Sequence, residues 1–76
     1  MSIDTLNRLR AGQLAGITRL DLACGLSELP DEVFALADTL EVLNLSGNRL
    51  RDLPDLSRLH RLRVLFCSDN DFTHVP

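Results

Sequence analysis

The chain has 76 residues, a hydrophobic fraction of 45% and a formal net charge of −3. This length allows one domain, whose core buries a smaller share of its surface than that of a larger protein. The acidic balance gives no electrostatic support to a nucleic-acid partner, and no stretch approaches the roughly 20 apolar residues that cross a membrane. We therefore expect a small single domain whose partners are neither nucleic acids nor membranes.

The first segment with a helical pattern covers residues 2–11, in which Ile3, Leu6 and Leu9 recur at helical spacing. We predict that residues 1–16 form a helical cap over the open edge of the first strand. A helix lying on a membrane surface is the alternative, but the segment is short and carries only two arginines.

A repeated pattern follows the cap, and its clearest copy reads LxxLxLxxNxLxxLP. The residues of this copy are Leu40, Leu43, Leu45, Asn48, Leu50, Leu53 and Pro54. The same offsets recur from Leu62, with Cys67 and Phe72 in leucine positions, and they recur imperfectly from Ile17. Copies separated by 22 or 23 residues indicate a repeat protein, in which each unit buries its apolar face only against its neighbours.

The repeat spacing predicts both the domain organisation and the fold class. Three repeats are expected, at residues 17–39, 40–61 and, incomplete, 62–76. Each supplies one short strand with inward side chains at alternate positions, near residues 19–22, 42–45 and 64–67. Long connections between the strands favour parallel pairing. The predicted fold is α/β, a short solenoid with a three-stranded parallel sheet on its concave side and an amino-terminal capping helix.

The segments between the strands also carry signals. Asn48 and Asn70 follow strands, where an amide side chain can satisfy buried backbone groups, although ordinary surface turns also favour asparagine. The first repeat lacks one residue near Cys24 and Gly25 and regains one later, which puts Cys24 at the asparagine position. Residues 30–37 predict a short helix. The helix side chains expected to face the core are Val33, Phe34 and Leu36. The leucines Leu53, Leu56, Leu59 and Leu62 step by three, which indicates turns or 3₁₀ geometry.

Catalytic and metal-binding patterns are not found in the sequence. Cys24 and Cys67 are predicted to lie roughly 10 Å apart, since strands are about 4.8 Å apart, and this exceeds the disulfide reach of about 7 Å. We expect both thiols to be reduced and the protein to be cytoplasmic. Neither His60 nor His74 has a neighbouring nucleophile that it could activate as a base. The two cysteines and two histidines are not spaced like the ligands of a zinc site. We therefore expect no enzyme activity, metal or cofactor.

The candidate binding surface consists of the strand residues that point away from the leucines, and we call it the concave face. Its residues are Arg19 and Asp21, then Val42 and Asn44, then Val64, Phe66 and Ser68. Val42, Val64 and Phe66 are apolar where water is expected, which is typical of a protein-binding surface. The plainer interpretation is that valine and phenylalanine simply suit strands.

Charged side chains give two further expectations. Glu41 and Arg63 each follow the first leucine of a repeat, so they are predicted to lie side by side on adjacent strands. The basic group from Arg58 to Arg63 could bind an acidic partner, or it could be a solvated surface that pairs with Asp52 and Asp55.

The stretch LRAGQLAGITRLDLACGLSELPDEVFALADTLEVLNLSGNRL, followed by LHRLRVLFCSDNDFTHVP, resembles a known family. It is similar, over roughly residues 6–76, to bacterial leucine-rich-repeat proteins whose repeats precede a protein-kinase-like domain. The resemblance implies protein binding or substrate recruitment. The glycine loop and HRD loop of kinases do not occur in this sequence, so any kinase activity would lie outside this chain. The alternative is a structural amino-terminal segment that binds nothing itself.

The third strand is predicted to leave an open parallel edge. The apolar side chains at this edge are Leu62, Leu65, Phe72 and Val75. We expect either self-association, with a second copy pairing antiparallel about a two-fold axis, or a frayed last repeat in a monomer.

Overall fold

The computed structural model describes residues 2–74, so Val75 and Pro76 of the predicted third repeat lie outside the described residues. The elements in chain order are helix α1 (Ser2–Arg10), strand β1 (Arg19–Asp21), a 3₁₀ helix (Asp31–Leu36), strand β2 (Val42–Asn44) and strand β3 (Val64–Phe66). The strands form one parallel sheet in the order β1-β2-β3. This is the predicted short α/β solenoid with a three-stranded parallel sheet and an amino-terminal helix.

The register of the sheet follows the repeat offsets. Leu43 of β2 pairs with Leu20 of β1 on one side and with Leu65 of β3 on the other. Leu20 and Leu43 are buried. Because side chains alternate between the two faces of a strand, the residues flanking these leucines lie together on the opposite face.

The hydrophobic core lies between the sheet and the connecting segments and is built almost entirely of leucine. Its buried residues are Leu6, Leu9, Leu20, Leu22, Leu26, Leu29, Val33, Leu36, Leu40, Leu43, Leu45, Leu50 and Leu59. Helix α1 and the connections after β1 and β2 contribute to it, and the partly buried Leu62 and Phe72 of the third repeat pack against it. The core is therefore one continuous cluster, as repeat stacking requires.

Only two of the three residues in the predicted apolar stripe of helix α1 are buried. Leu6 and Leu9 are buried, but Ile3 is 54% exposed. The helix packs against the 3₁₀ helix, and Leu6 and Leu9 share one core with Leu20 of β1. That the helix covers the edge of β1 stays a prediction. Gly12 and Gly16 have φ of 73° and 88°, a left-handed conformation that glycine adopts without strain and that turns the chain toward β1.

The connections after β1 and β2 differ in conformation. The predicted short helix is a 3₁₀ helix preceded by Pro30, and it buries Val33 and Leu36 while Phe34 is half-buried. In the second repeat, the amide of Leu59 donates to the carbonyl of Leu56 at 2.9 Å, which is a turn of the predicted kind. No helix within residues 2–74 is long and apolar enough to span a membrane.

Candidate protein-binding face

Asn48 holds the backbone behind the concave face in place. The side chain is buried, and its Oδ1 accepts hydrogen bonds from the amides of Cys24 and Leu26, both at 3.1 Å. Its Nδ2 donates to the carbonyl oxygens of Leu22 and Leu45, both at 2.7 Å. These four backbone groups lie where two repeats turn inward, and without Asn48 the groups of Leu22, Cys24 and Leu26 would lose this partner.

Asn70 performs the same task one repeat later. Its Oδ1 accepts from the amide of Leu50 at 3.0 Å, and its Nδ2 donates to the carbonyls of Leu45, Cys67 and Ser68 at 2.9–3.1 Å. The predicted role of both asparagines in satisfying turn backbone is therefore confirmed. The regular stacking of the repeats that results sets the spacing of the strands whose side chains form the concave face.

The polar half of the concave face is one hydrogen-bonded network. Arg19 donates from Nε and Nη2 to the two carboxylate oxygens of Asp21, at 2.9 and 3.0 Å. Asn44 donates from Nδ2 to Oδ1 of Asp21 at 3.0 Å, and its own Oδ1 accepts from the amide of Ser46 at 3.1 Å. The network crosses from β1 to β2 because Asp21 and Asn44 are register partners.

The electrostatics of this network favour the ionised pair. The hydrogen bond from Arg19 lowers the pKa of Asp21, burial of the carboxylate opposes that change, and the hydrogen bond from Asn44 adds to it. The hydrogen bond to Asp21 in turn raises the pKa of Arg19. The opposite charges are matched within the network, so this half of the face carries no net charge.

The apolar half of the concave face centres on β3. Val64 is 39% exposed and Phe66 is 46% exposed, and the half-buried Val42 is the register partner of Val64. Asn44 is the register partner of Phe66, so the apolar half adjoins the polar network. Ser68 lies beyond the strand, where its amide donates to Ser46 Oγ at 3.2 Å.

The structure therefore brings six of the predicted concave-face residues together on the three strands, with Ser68 next to them. The sequence interpretation missed that Arg19, Asp21 and Asn44 form one network. A signal for it existed, because an arginine and an aspartate two apart on a strand share a face and an asparagine follows one repeat later.

The basic group from Arg58 to Arg63 is divided among different partners. The guanidinium carbon of Arg58 lies 4.4 Å from the ring centroid of Phe34, a cation–π contact with the 3₁₀ helix. Arg63 Nη1 lies 3.6 Å from Glu41 Oε1, which confirms the predicted cross-strand pair. These two arginines thus bridge neighbouring repeats, which leaves less of the group free for an acidic partner.

Asp52 and Asp55, the acidic partners considered for these arginines, make other contacts. His74 Nε2 lies 3.6 Å from Asp52 Oδ1. Asp55 accepts a hydrogen bond from the amide of Ser57 at 2.9 Å, and this bond lowers the pKa of Asp55.

The cysteines and histidines do not converge on one site. Cys24 and Cys67 are both free thiols and half-buried, so Cys67 fills its leucine position only in part. His60 Nε2 lies 3.0 Å from Asp38 Oδ1, and His74 Nδ1 lies 3.4 Å from Thr73 Oγ1. Within residues 2–74 there is no group of three or more His, Cys, Asp or Glu side chains that could hold a metal ion.

Comparison with known proteins agrees with this architecture. Residues 38–76 match the family described as leucine-rich repeats in two copies. The chain belongs to the leucine-rich-repeat family.

Several longer proteins contain similar segments. The chain is 41% identical over 54 residues, 70% of its length, to leucine-rich repeat-containing protein 7 of Homo sapiens, and spans 4% of that protein. It is 38% identical over 66 residues, 84% of its length, to the probable serine/threonine-protein kinase roco9 of Dictyostelium discoideum, and spans 2% of that protein. It is 35% identical over 69 residues, 91% of its length, to leucine-rich repeat and WD repeat-containing protein 1 of Danio rerio, and spans 9% of it.

The chain therefore corresponds to a small part of each of these relatives. No solved structure gives a significant match to the chain. These three relatives are eukaryotic, so the bacterial subgroup inferred from the resemblance stays a prediction.

Proposed function

We propose that this chain is a protein-recognition module that binds a partner protein through its concave face and performs no catalysis itself. The observation that carries the proposal is the exposure of Val64 and Phe66 beside the Arg19–Asp21–Asn44 network. Exposed apolar side chains bordered by polar groups are typical of protein interaction sites. Membership of a family whose repeats generally mediate protein–protein interaction supports the same conclusion.

The two halves of the face would contribute differently to recognition. Burial of Phe66 and Val64 under a partner side chain supplies a hydrophobic driving force of roughly 25 cal/mol per Å² of apolar area. The polar network is already paired internally, so it resists desolvation and offers little net charge to attract a partner. The face would therefore select its partner by shape and apolar contact, with salt having a small effect on affinity.

Replacing Phe66 with aspartate tests this proposal. The matched control is Ile3→Asp, which places the same charge at another exposed apolar residue, in the first turn of α1 where an acidic side chain is favourable. Both variants and the wild type are immobilised, and the captured proteins are identified and their affinities measured. We expect Phe66→Asp to lose a partner that the wild type and Ile3→Asp retain. Equal capture by all three would refute a role for the concave face.

A second candidate is a structural segment of a longer repeat protein, possibly a kinase, that binds nothing itself. The chain aligns over 84% of its length with part of the probable kinase roco9, and this similarity favours the second candidate. The two candidates differ in one measurable property. A recognition module captures a partner as the isolated 76-residue chain, whereas a structural segment captures one only within a longer parent.

The absence of catalysis and a cytoplasmic location are parts of the same proposal. His60 and His74 lie beside exposed aspartates, and the Thr73 hydroxyl is 3.4 Å from His74, longer than the 2.6–3.2 Å typical of an activated nucleophile. The two free thiols suit a reducing compartment. Fractionation of cells that express the chain, together with thiol labelling before and after reduction, tests the location.

A further inference from the structure

We infer that Arg19 donates hydrogen bonds from the free edge of its guanidinium to a main-chain carbonyl oxygen of the partner, whose binding segment is extended and places an apolar side chain on Val42 and Val64. This inference rests on the proposed function, because it states which chemistry the concave face recognises. It is carried by the hydrogen bonds of Arg19, by the charge of its pair with Asp21 and by the register of the three strands.

The guanidinium of Arg19 has one edge occupied and one edge free. Its Nε and Nη2 atoms donate to Oδ2 and Oδ1 of Asp21 at 2.9 and 3.0 Å, which occupies the edge that these two nitrogens share. Of the five N–H groups of an arginine, the second on Nη2 and both on Nη1 then have no acceptor among residues 2–74. The Arg19 side chain is 55% exposed, so a partner can reach the edge formed by Nη1 and Nη2.

Neighbouring side chains hold this guanidinium in a fixed orientation. The two hydrogen bonds to Asp21 are of the forked kind that defines the plane of the guanidinium. Asn44 Nδ2 donates to Oδ1 of Asp21 at 3.0 Å, and the Ser46 amide donates to Oδ1 of Asn44 at 3.1 Å. The chain of hydrogen bonds thus ends on the backbone just after β2. Because Arg19 is already ordered, less side-chain entropy is lost when a partner binds to it.

The charge of the pair favours a neutral acceptor at the free edge. Asp21 already balances the positive charge of Arg19, so a carboxylate from a partner would leave one negative charge uncompensated and would repel Asp21. A main-chain carbonyl accepts from the same N–H groups without this repulsion, and its two lone pairs suit donors on Nη1 and Nη2. Carbonyl groups are free to accept in a segment that is not already paired in a helix or sheet. We therefore expect the partner segment to be extended.

The residues beside Arg19 determine where the apolar side chain of the partner lies. Val42 is the register partner of Arg19, and Val64 is the register partner of Val42, so the three side chains form one row across the sheet. Strands lie about 4.8 Å apart, and an extended segment rises about 3.3 Å per residue. A segment that crosses the strands from Arg19 therefore reaches Val42 after roughly one or two residues and Val64 after roughly three.

Peptides selected on the chain test the inference. A displayed library of random peptides is selected on the immobilised wild type, and the enriched peptides are synthesised with neutral ends. Each main-chain amide in turn is then replaced with an ester, whose carbonyl is a weaker hydrogen-bond acceptor. Affinities are measured by titration for the wild type, for Arg19→Met and for the matched control Arg10→Met, which removes an exposed arginine of α1.

We expect one ester position to weaken binding to the wild type and to Arg10→Met by about three- to tenfold and to have almost no effect on Arg19→Met. Esters that weaken binding equally in the wild type and Arg19→Met would overturn the inference, and so would a series in which no ester weakens binding to the wild type. The second result needs no protein variant, so a folding defect of Arg19→Met, recognised by circular dichroism, does not prevent the test.

The selected sequences give a further test of the neutral acceptor. We expect apolar residues to be enriched, without enrichment of aspartate or glutamate, and the affinities to change little with salt. Enrichment of acidic residues with affinities that fall steeply with salt would overturn the inference, because a carboxylate would then occupy the free edge of Arg19. A library that yields no binding peptide would overturn it too.

Phe66→Asp distinguishes a failure of this inference from a failure of the proposed function. Selected peptides that bind the wild type and Ile3→Asp but lose affinity for Phe66→Asp show that the concave face is the binding surface. If Arg19→Met binds those peptides as tightly as the wild type does, this inference is wrong and the proposed function stands. If Phe66→Asp also binds them as tightly as the wild type does, both are wrong.

Discussion

Asn48 and Asn70 donate hydrogen bonds to the same acceptor, the carbonyl oxygen of Leu45, at 2.7 and 2.9 Å. One backbone oxygen thus links two consecutive repeats through two side chains, using both of its lone pairs. The repeats are therefore joined by side-chain amides as well as by the sheet.

Replacing Asn48 with alanine should strongly destabilise the fold. The substitution leaves the backbone groups of Leu22, Cys24 and Leu26 without their side-chain partner, whereas the Leu45 carbonyl keeps its bond from Asn70. Each buried unpaired group costs roughly 1–3 kcal/mol. We expect a loss of at least about 3 kcal/mol, or no folding, by urea denaturation. Asn7→Ala, on the exposed side of α1, should change stability by less than about 0.5 kcal/mol. Similar losses in the two variants would show that Asn48 is not a structural link.

The Glu41–Arg63 pair should contribute little, despite confirming the register. Their side chains are 42% and 77% exposed, so solvent screens the attraction. A double-mutant cycle with Glu41→Gln and Arg63→Gln should give a coupling of about 0.2–1 kcal/mol that decreases with salt. A coupling well above that range, unaffected by salt, would mean that the pair is more buried than described.

Asp21 should make stability depend on pH in the acid range. Its folded pKa is lowered, first by the hydrogen bond from Arg19, so the carboxylate stabilises the fold above its unfolded pKa of about 3.9. That stabilisation is lost as the pH falls through the folded pKa. We expect the stability advantage of the wild type over Asp21→Asn in urea titrations to be constant near neutral pH and to shrink as the pH falls below about 4.

Asn44→Ala serves as the companion variant for this measurement. Asn44 also donates to Asp21, so its loss should reduce the pH dependence without abolishing it. Parallel stability curves for the wild type and Asp21→Asn over this range would contradict the network.

Thr39→Val should stabilise the protein. The Thr39 hydroxyl oxygen is buried and has no hydrogen-bond partner among residues 2–74. Valine has nearly the same shape and removes the cost of that unpaired group, so we expect a gain of about 1 kcal/mol in the free energy of unfolding. Thr18→Val, at an exposed position, should have almost no effect. A loss of stability in Thr39→Val would indicate that the hydroxyl is hydrogen-bonded after all.

The sequence was sufficient to predict the sheet, its register and the structural asparagines. These features follow from a period that repeats along the chain, so Leu20, Leu43 and Leu65 fall opposite one another once the strands are parallel. The register in turn predicts which side chains share the concave face.

The contacts that the sequence did not predict involve long polar side chains and terminal elements. The stacking of Arg58 on Phe34 depends on rotamers and on the path of the 3₁₀ helix, neither of which has a repeating signal. Ile3 fits a helical stripe but lies exposed, because α1 packs on the 3₁₀ helix in an orientation that periodicity does not specify. Positions that recur in every repeat can thus be predicted from the sequence, whereas a contact that occurs at a single place in the fold cannot.

Recognition through the concave face is tested most directly by mapping where a captured partner contacts the chain. Backbone amide chemical shifts are recorded by NMR while the partner is titrated into the isotope-labelled chain. The account predicts that the largest changes fall on Arg19–Asp21, Val42–Asn44 and Val64–Phe66. Changes concentrated instead on the 3₁₀ helix Asp31–Leu36 and the basic group from Arg58 to Arg63 would contradict it.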